Sequence, residues 1–242
     1  MASGALQALI FDVDGTLAET ESVHLTAFNH AFAELGMDWV WTDEMYLHLL
    51  DVSGGKERIL LYWQQIDPAI GVLDAEVLQS RIDRIHALKT TIYESLMNSG
   101  VVELRPGVLA LITEARQAGL KLAIATTTTP ANIAALLRGA LGEHWRDTFA
   151  VIGDAATAPL KKPHPQVYFQ VVEALGVPTS QCLVIEDSSN GLRAATAAGL
   201  KTLITTNRYT LHHDFTDALR VVPDLSHVTL SQLTDWQNSS PA

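Results

Sequence analysis

Four short segments, spread along most of the chain, carry residue types that together suit phosphoryl transfer assisted by a hard divalent cation: Asp12-Val13-Asp14-Gly15-Thr16, Thr126, Lys162-Pro163 and Glu186-Asp187. Asp12 and Asp14 are two residues apart, so in an extended chain their side chains project to the same side and can face one substrate. Phosphate monoesters hydrolyse extremely slowly unaided, and a carboxylate nucleophile divides the reaction into formation and hydrolysis of an aspartyl phosphate. Asp12 is the expected nucleophile. Asp14 is expected to protonate the leaving alcohol and then to deprotonate the attacking water.

A carboxylate and a phosphate repel each other unless a cation neutralises them, and Mg²⁺ does this with hard oxygen ligands. Asp12, the backbone carbonyl of Asp14 and Asp187 are the expected protein ligands, with Glu186 ligating directly or through a water. Lys162 is expected to neutralise Asp12 and the phosphoryl oxygens, and the Thr126 hydroxyl to donate to one of them. Taken singly, each segment has a plainer reading. Asp-x-Asp suits a solvated turn, Lys161-Lys162-Pro163 an exposed basic turn, and Glu186-Asp187 a helix cap. Their recurrence after successive apolar runs favours a site.

Those apolar runs are Ala8 to Phe11, Leu122 to Ala125, Phe149 to Ile152, Cys182 to Ile185 and Thr202 to Ile204, with Arg220-Val221-Val222 as a weaker edge. Their length and bounding residues suit buried strands. Helical patterns lie between them: Val108 to Ala118, opened by Pro106-Gly107 and closed by Gly119; Val167 to Leu175, ending at Gly176; and Leu192 to Ala198, ending at Gly199. The alternation predicts an α/β fold, a doubly wound Rossmann-like parallel sheet with chemistry at its carboxyl edge.

From about Thr20 to Val102 the rhythm breaks. Val23, Ala27, Phe28, Ala31, Phe32 and Leu35 fall on one helical face and Gly36 stops the helix. A second helix is expected to start near Gly54-Gly55 and carry Ile59, Leu60 and Trp63, and a third to carry Val77, Ile82, Ile85 and Leu88. This predicts a Rossmann-like core of residues 1–18 and 103–242 with a helical cap at 19–102, hinged near Ala18-Glu19 and Glu103 to Pro106.

At 242 residues with 48% hydrophobic composition the chain can fill such cores. A net charge of −11 without a basic stripe argues against a nucleic-acid or anionic-membrane partner. The single cysteine, Cys182, cannot close an internal disulfide and reads as a buried strand residue. No charged-then-apolar leader is visible, and no apolar stretch approaches the ~20 residues that span a bilayer. The expectation is a soluble, cytoplasmic monomer acting on a small molecule.

The four segments resemble the motifs of the haloacid dehalogenase superfamily, whose phosphatases carry Asp-x-Asp-x-Thr, then a Ser or Thr, then a Lys, then an acidic pair. The resemblance covers essentially the whole chain, including a helical cap inserted after the first strand. Ile185-Glu186-Asp187-Ser188-Ser189-Asn190-Gly191 and Lys162-Pro163-His164-Pro165-Gln166-Val167-Tyr168 are similar to the beta-phosphoglucomutase and sugar-phosphatase branch. Asp14 disfavours halide displacement, which needs no leaving-group acid there. Ala18-Glu19-Thr20-Glu21 with His24, Asp38-Trp39, Tyr46 and Ser53-Gly54-Gly55-Lys56-Glu57-Arg58-Ile59 resemble the CbbY-type xylulose-1,5-bisphosphate phosphatases. That resemblance implies hydrolysis of a small sugar bisphosphate that inhibits Rubisco.

In the cap, Gly54-Gly55 precedes a helix whose first N–H groups could receive an anion, with Lys56 and Arg58 adding charge. His86 and Lys89, at i and i+3, share a face and could close around the same ligand. Read without the resemblance, these cations are solvated helix charges; with it, they are candidates for holding the phosphate that is not cleaved. Glu19 and His24 could contact sugar hydroxyls or complement a helix end. Tyr46 suits a hydroxyl contact and packing equally. A beta-phosphoglucomutase commonly has a lysine and an asparagine shortly after its second motif, whereas this chain reads Thr126-Thr127-Thr128-Thr129-Pro130-Ala131-Asn132. The lysine is absent, which favours a phosphatase over a hexose phosphomutase. Asn132 could restore one hydrogen bond, and Thr127 and Thr128 could reach sugar oxygens or satisfy the loop backbone.

Overall fold

The computed structural model describes residues 5–72, 74–98 and 102–238. Strand β1 (Ala8–Phe11) is an unbroken apolar run because both faces of its sheet are covered, and all four residues are fully buried. Helices α1 (Glu21–Glu34), α2 (Asp43–Leu49), α3 (Gly55–Ile66) and α4 (Ala75–Asn98) follow it. The chain then runs through α5 (Val108–Gln117), β2 (Lys121–Ala125), α6 (Pro130–Leu141), β3 (Val151–Gly153), α7 (Gln166–Leu175) and β4 (Cys182–Glu186). It closes with α8 (Ser189–Ala197), β5 (Lys201–Thr205), β6 (Arg220–Val222) and α9 (Leu230–Asn238).

Among the described residues the six strands form one sheet in the order β3-β2-β1-β4-β5-β6, and every pairing is parallel. This is the doubly wound α/β architecture expected from the alternation of runs. Strand order reverses at β1, and a ligand crevice opens outside the carboxyl ends of the strands at such a switch point. Phe11 pairs with Ile124 and with Ile185, so Asp12, Ala125 and Glu186 stand level, one residue beyond that rung.

The chain divides into two compact units, Met1–Glu19 with Val102–Ala242, and Thr20–Val101. The first contains the sheet. One of its cores packs Ala8, Ile10, Ala123 and Val184 against Tyr168 and Val171 of α7 and Ala194 and Ala195 of α8. Small residues on α8 let that helix lie close to the sheet. In the second unit, α1 packs along α4, and an aromatic group centred on Trp41 joins Phe28, Phe32, Tyr46 and Tyr62, with Phe28 4.6 Å from Trp41 between ring centroids. No helix among the described residues is long and apolar enough to cross a membrane.

Several elements differ from expectation for local reasons. The third strand was expected over Phe149 to Ile152 but covers Val151–Gly153, because Trp145–Thr148 winds into a 3-10 turn that continues through the Phe149 N–H to the Arg146 carbonyl. Phe149 is apolar because it packs, not because it pairs. Helix α8 begins at Ser189, before the apolar pattern starts, since the Ser188 hydroxyl caps it by accepting from the Gly191 N–H at 3.0 Å. The pattern reading omitted α2, α6 and α9. Thr42 caps α2, and Thr129 with Pro130 starts α6. Both are ordinary start signals that the neighbouring aromatic and threonine-rich stretches obscured.

Cys182 has no exposed surface, and burial pushes its thiol from an ordinary 9.0 up to about 11. The unfolded chain ionises this thiol first, so its contribution to stability is full below pH 9 and is lost as pH rises from 9 to 11. At pH 8 the native protein should therefore resist iodoacetamide and incorporate one label only in denaturant. Rapid native labelling would show that β4 opens.

Candidate active site

Lys162 is the hub of the sheet's carboxyl edge. Its side chain is almost wholly buried, and its ammonium donates to Asp12 Oδ1 at 2.7 Å, Glu186 Oε1 at 2.6 Å and the Ala125 carbonyl at 2.8 Å. One cation thus joins the ends of β1, β2 and β4. Burial alone would strip its proton, but Asp12 and Glu186 outweigh that and hold its pKa well above the ordinary value.

Glu186 is fully buried and saturated with donors. Its Oε1 also accepts from the Tyr168 hydroxyl at 3.1 Å, and its Oε2 from the N–H groups of Asp187 and Ser188 and from the Ser188 hydroxyl at 2.9, 3.1 and 3.1 Å. Burial raises its pKa, yet Lys162 and these N–H donors lower it further, leaving a carboxylate. Gly191 is required beside it, because a Cβ there would lie 1.8 Å from Glu186 Oε1. Asp12 has the opposite balance. Burial lifts its carboxyl to about 8 despite Lys162, and Glu186 and Asp14 add to the rise.

Asp14 lies two residues on, half-buried, where the Gly15 N–H bonds the Ala18 carbonyl at 2.9 Å in a tight turn. Gly15 takes φ +80°, and a Cβ would sit 2.3 Å from Asp187 Oδ2. Asp187 is held on both sides, by the Thr16 hydroxyl on Oδ1 at 3.3 Å and by the Asn207 amide on Oδ2 at 2.7 Å. Thr126 follows β2 and is buried; its N–H bonds the Gly153 carbonyl, and its hydroxyl oxygen accepts from the Thr128 N–H at 3.3 Å. Asn132 donates from its amide to the Thr128 hydroxyl at 2.9 Å, and its buried Oδ1 has no hydrogen-bond partner among the described residues. Thr127, between them, is half-buried.

Asp12, Glu186 and Asp187 each offer an oxygen within 4.8 Å of the others. Three buried carboxylates at that separation, with one lysine shared between two of them, make a hard-oxygen donor set that fits a divalent cation.

The structure brings other sequence candidates into different surroundings. Glu19 pairs with Arg105 at 3.2 Å, a partner no motif announced. Within the helical unit, Gly54 takes φ +103° before α3, and Gly55 lies so near His86 that a Cβ would meet its Nε2 at 2.7 Å. Lys56 pairs with Asp83 at 2.7 Å on the surface, where such a pair contributes little. Arg58 is directed inward, donating to the Val52 carbonyl at 2.9 Å and the Tyr46 hydroxyl at 3.3 Å, while that hydroxyl donates to Glu21 at 2.7 Å. Lys89 is buried over the rings of Phe28 and Tyr93 with its ammonium 2.6 Å from His24 Nδ1, and His24 stacks on Tyr93. His86 and Lys89 share a helix, but the first is placed against Gly55 and the second against His24.

Sequence reasoning did not identify Tyr168, Arg105 or Asn207. Tyr168 stood in a helical apolar pattern, and its hydroxyl is kept protonated by burial and by Glu186.

Comparison with known proteins identifies the family. Residues 6–199 match the haloacid dehalogenase-like hydrolase family. The chain is 54% identical over 222 residues to Protein CbbY, plasmid, of Cupriavidus necator, covering 91% of this chain and 86% of that one. A crystal structure of CbbY from Rhodobacter sphaeroides in complex with phosphate superposes with a TM-score of 0.84 at 42% identity, covering 92% of this chain and 96% of that one. A point mutant of that CbbY, crystallised with xylulose-(1,5)bisphosphate, gives 0.83 at 41% identity over the same shares. The chain therefore belongs to the haloacid dehalogenase-like hydrolases and is one of their phosphatases.

Proposed function

We propose that this enzyme is a Mg²⁺-dependent sugar-bisphosphate phosphatase whose substrate is xylulose-1,5-bisphosphate, acting through an aspartyl phosphate on Asp12. The observation that carries the reaction type is the buried Asp12 carboxyl group at 2.7 Å from Lys162, at the carboxyl end of the central strand. Lys162, with a bound cation, would favour its ionised, attacking form against the burial that raises its pKa. Asp12 Oδ attacks phosphorus and the bond from phosphorus to the sugar oxygen breaks. Asp14 delivers the proton that the departing alkoxide takes up. In the second half, Asp14 takes a proton from water as it attacks the phosphoryl group, and inorganic phosphate leaves with Asp12 restored.

Asp12, the Asp14 carbonyl and Asp187 would hold Mg²⁺, with Glu186 beside them. The bound cation would offset the charge of the phosphate and carboxylates. Lys162 screens Asp12 and the phosphoryl oxygens, while Thr126 supplies a hydroxyl donor at the neighbouring strand end. Glu186 has its oxygens occupied by five donors, so its own part is to fix Lys162 and the Asp187 backbone.

The choice of substrate is supported by the ligand in the R. sphaeroides CbbY mutant structure, to which this chain is 41% identical over 92% of its length. The same resemblance implies a role in removing an inhibitor of Rubisco. Phosphate release should be measured with Mg²⁺ from xylulose-1,5-bisphosphate, ribulose-1,5-bisphosphate and glucose 1-phosphate, with and without a bisphosphate primer. Strong preference for the xylulose compound is expected. Primer-dependent isomer formation would move the enzyme to the mutases, and equal release from all three would remove the carbon-fixation role.

A further inference from the structure

The Gly15 carbonyl is gripped by two side chains that come from distant parts of the sequence. The Arg105 guanidinium donates to it, and the Asn207 amide donates to it at 3.3 Å. Arg105 also reaches the Thr205 carbonyl and hydroxyl at 3.1 and 3.0 Å, the Thr206 carbonyl at 2.6 Å and the Pro223 carbonyl at 2.9 Å. It therefore ties the turn after β1 to the ends of β5 and β6. The same Asn207 amide donates to Asp187 Oδ2 at 2.7 Å, and both residues are buried. Asn207 is itself fixed, because its Oδ1 accepts from the Tyr209 N–H at 2.8 Å and its N–H bonds the Thr210 hydroxyl at 3.3 Å.

We propose that Asn207 is a positioning residue for Asp187, turning that carboxylate into the orientation a divalent cation needs and locking it to the Asp14-Gly15 turn. The inference rests on the metal reading of the site above. The physical case is that a carboxylate with several rotamers loses orientational freedom only when its outer oxygens are bonded, and partners of that kind commonly set metal affinity by 10- to 100-fold. A neutral amide suits the position. It donates to the carboxylate without placing a second positive charge where a cation would sit, as a lysine would. Arg105, by contrast, spends its charge on carbonyls and on Glu19 at 3.2 Å.

The test is Mn²⁺ binding to the metal-free full-length protein, followed by loss of the free-ion electron paramagnetic resonance signal and competed with Mg²⁺. Asn207→Ser keeps a hydroxyl that can accept from the Tyr209 N–H, so the turn persists, but its donor is too short to reach Asp187. Thr210→Val loosens the same turn without touching the amide. The expected result is binding about 10- to 100-fold weaker in Asn207→Ser and within about threefold of the parent in Thr210→Val. Unchanged affinity in Asn207→Ser overturns the inference, as does equal weakening in both variants, which would make Asn207 a turn residue only. Absence of Mn²⁺ binding by the parent overturns the metal reading itself, and the inference with it.

Discussion

Asp12→Asn should remove phosphate release almost completely, by a factor on the order of 10⁴ or more, while leaving a folded protein. The replacement is nearly isosteric and retains an oxygen that can accept from Lys162, so the ties of that ammonium to Glu186 and the Ala125 carbonyl persist. What disappears is the proposed nucleophile. Stability should not fall with it, because burial already works against the Asp12 carboxylate and lifts its carboxyl to about 8. A neutral amide escapes that desolvation cost. Thermal melting in chelator should thus give Asp12→Asn a midpoint equal to or above that of the parent. Acid-quenched protein from turnover with radiolabelled substrate should carry label in the parent and none in the variant. Phosphate release by Asp12→Asn at the parental rate would eliminate Asp12 as the attacking group.

The legible part of this protein is what local physics writes into short stretches. Ala8 to Phe11 is apolar on every residue because β1 is central, and glycines at 119, 176 and 199 follow helix ends where positive φ is needed. The segments carrying Asp12, Lys162, Glu186 and Asp187 were visible because each follows such a stretch or lies in a short loop near one, and the structure brings these four side chains to one edge. Asn207 and Arg105 were not visible. Each is a single polar residue whose partners lie far away in sequence, 192 residues in the case of Asn207 and Gly15. Nothing in the neighbouring residues of such a side chain records whom it will meet. The cations of the helical unit show the opposite difficulty. Lys56, Arg58 and Lys89 look alike in a helical pattern, yet one is a surface ion pair, one is tied to Tyr46 and a carbonyl, and one is buried against rings and His24. Helical periodicity predicts a face, and only packing decides how deep that face lies.

Lys162→Met should lower both stability and turnover, and the two losses should separate in a second variant. The methionine keeps most of the stem and removes the ammonium, leaving Asp12 and Glu186 without their shared cation in a buried site. Breaking a buried ion pair from one side costs about 3–5 kcal/mol, because the remaining charge loses its counterion, and here Glu186 would keep only neutral donors. Urea unfolding in chelator should report a loss of that size. Adding Glu186→Gln discharges one of the two carboxylates; its oxygen can take the Oε2 place and accept from the Asp187 and Ser188 N–H groups while its amide N–H donates to the Tyr168 hydroxyl oxygen, so the double variant should regain part of the stability. Turnover should stay at least about 10²-fold down in both, since neither restores a cation beside the phosphoryl oxygens. A stability loss under about 1 kcal/mol would mean that water reaches Lys162 readily, contrary to its burial. Recovery of turnover along with stability would mean that Lys162 serves the fold alone. The expected split follows from what the site must do. A chain selecting only for stability would do as well with apolar side chains at these positions, whereas the proposed mechanism, in which an anionic nucleophile is held against an anionic substrate, requires the buried charge.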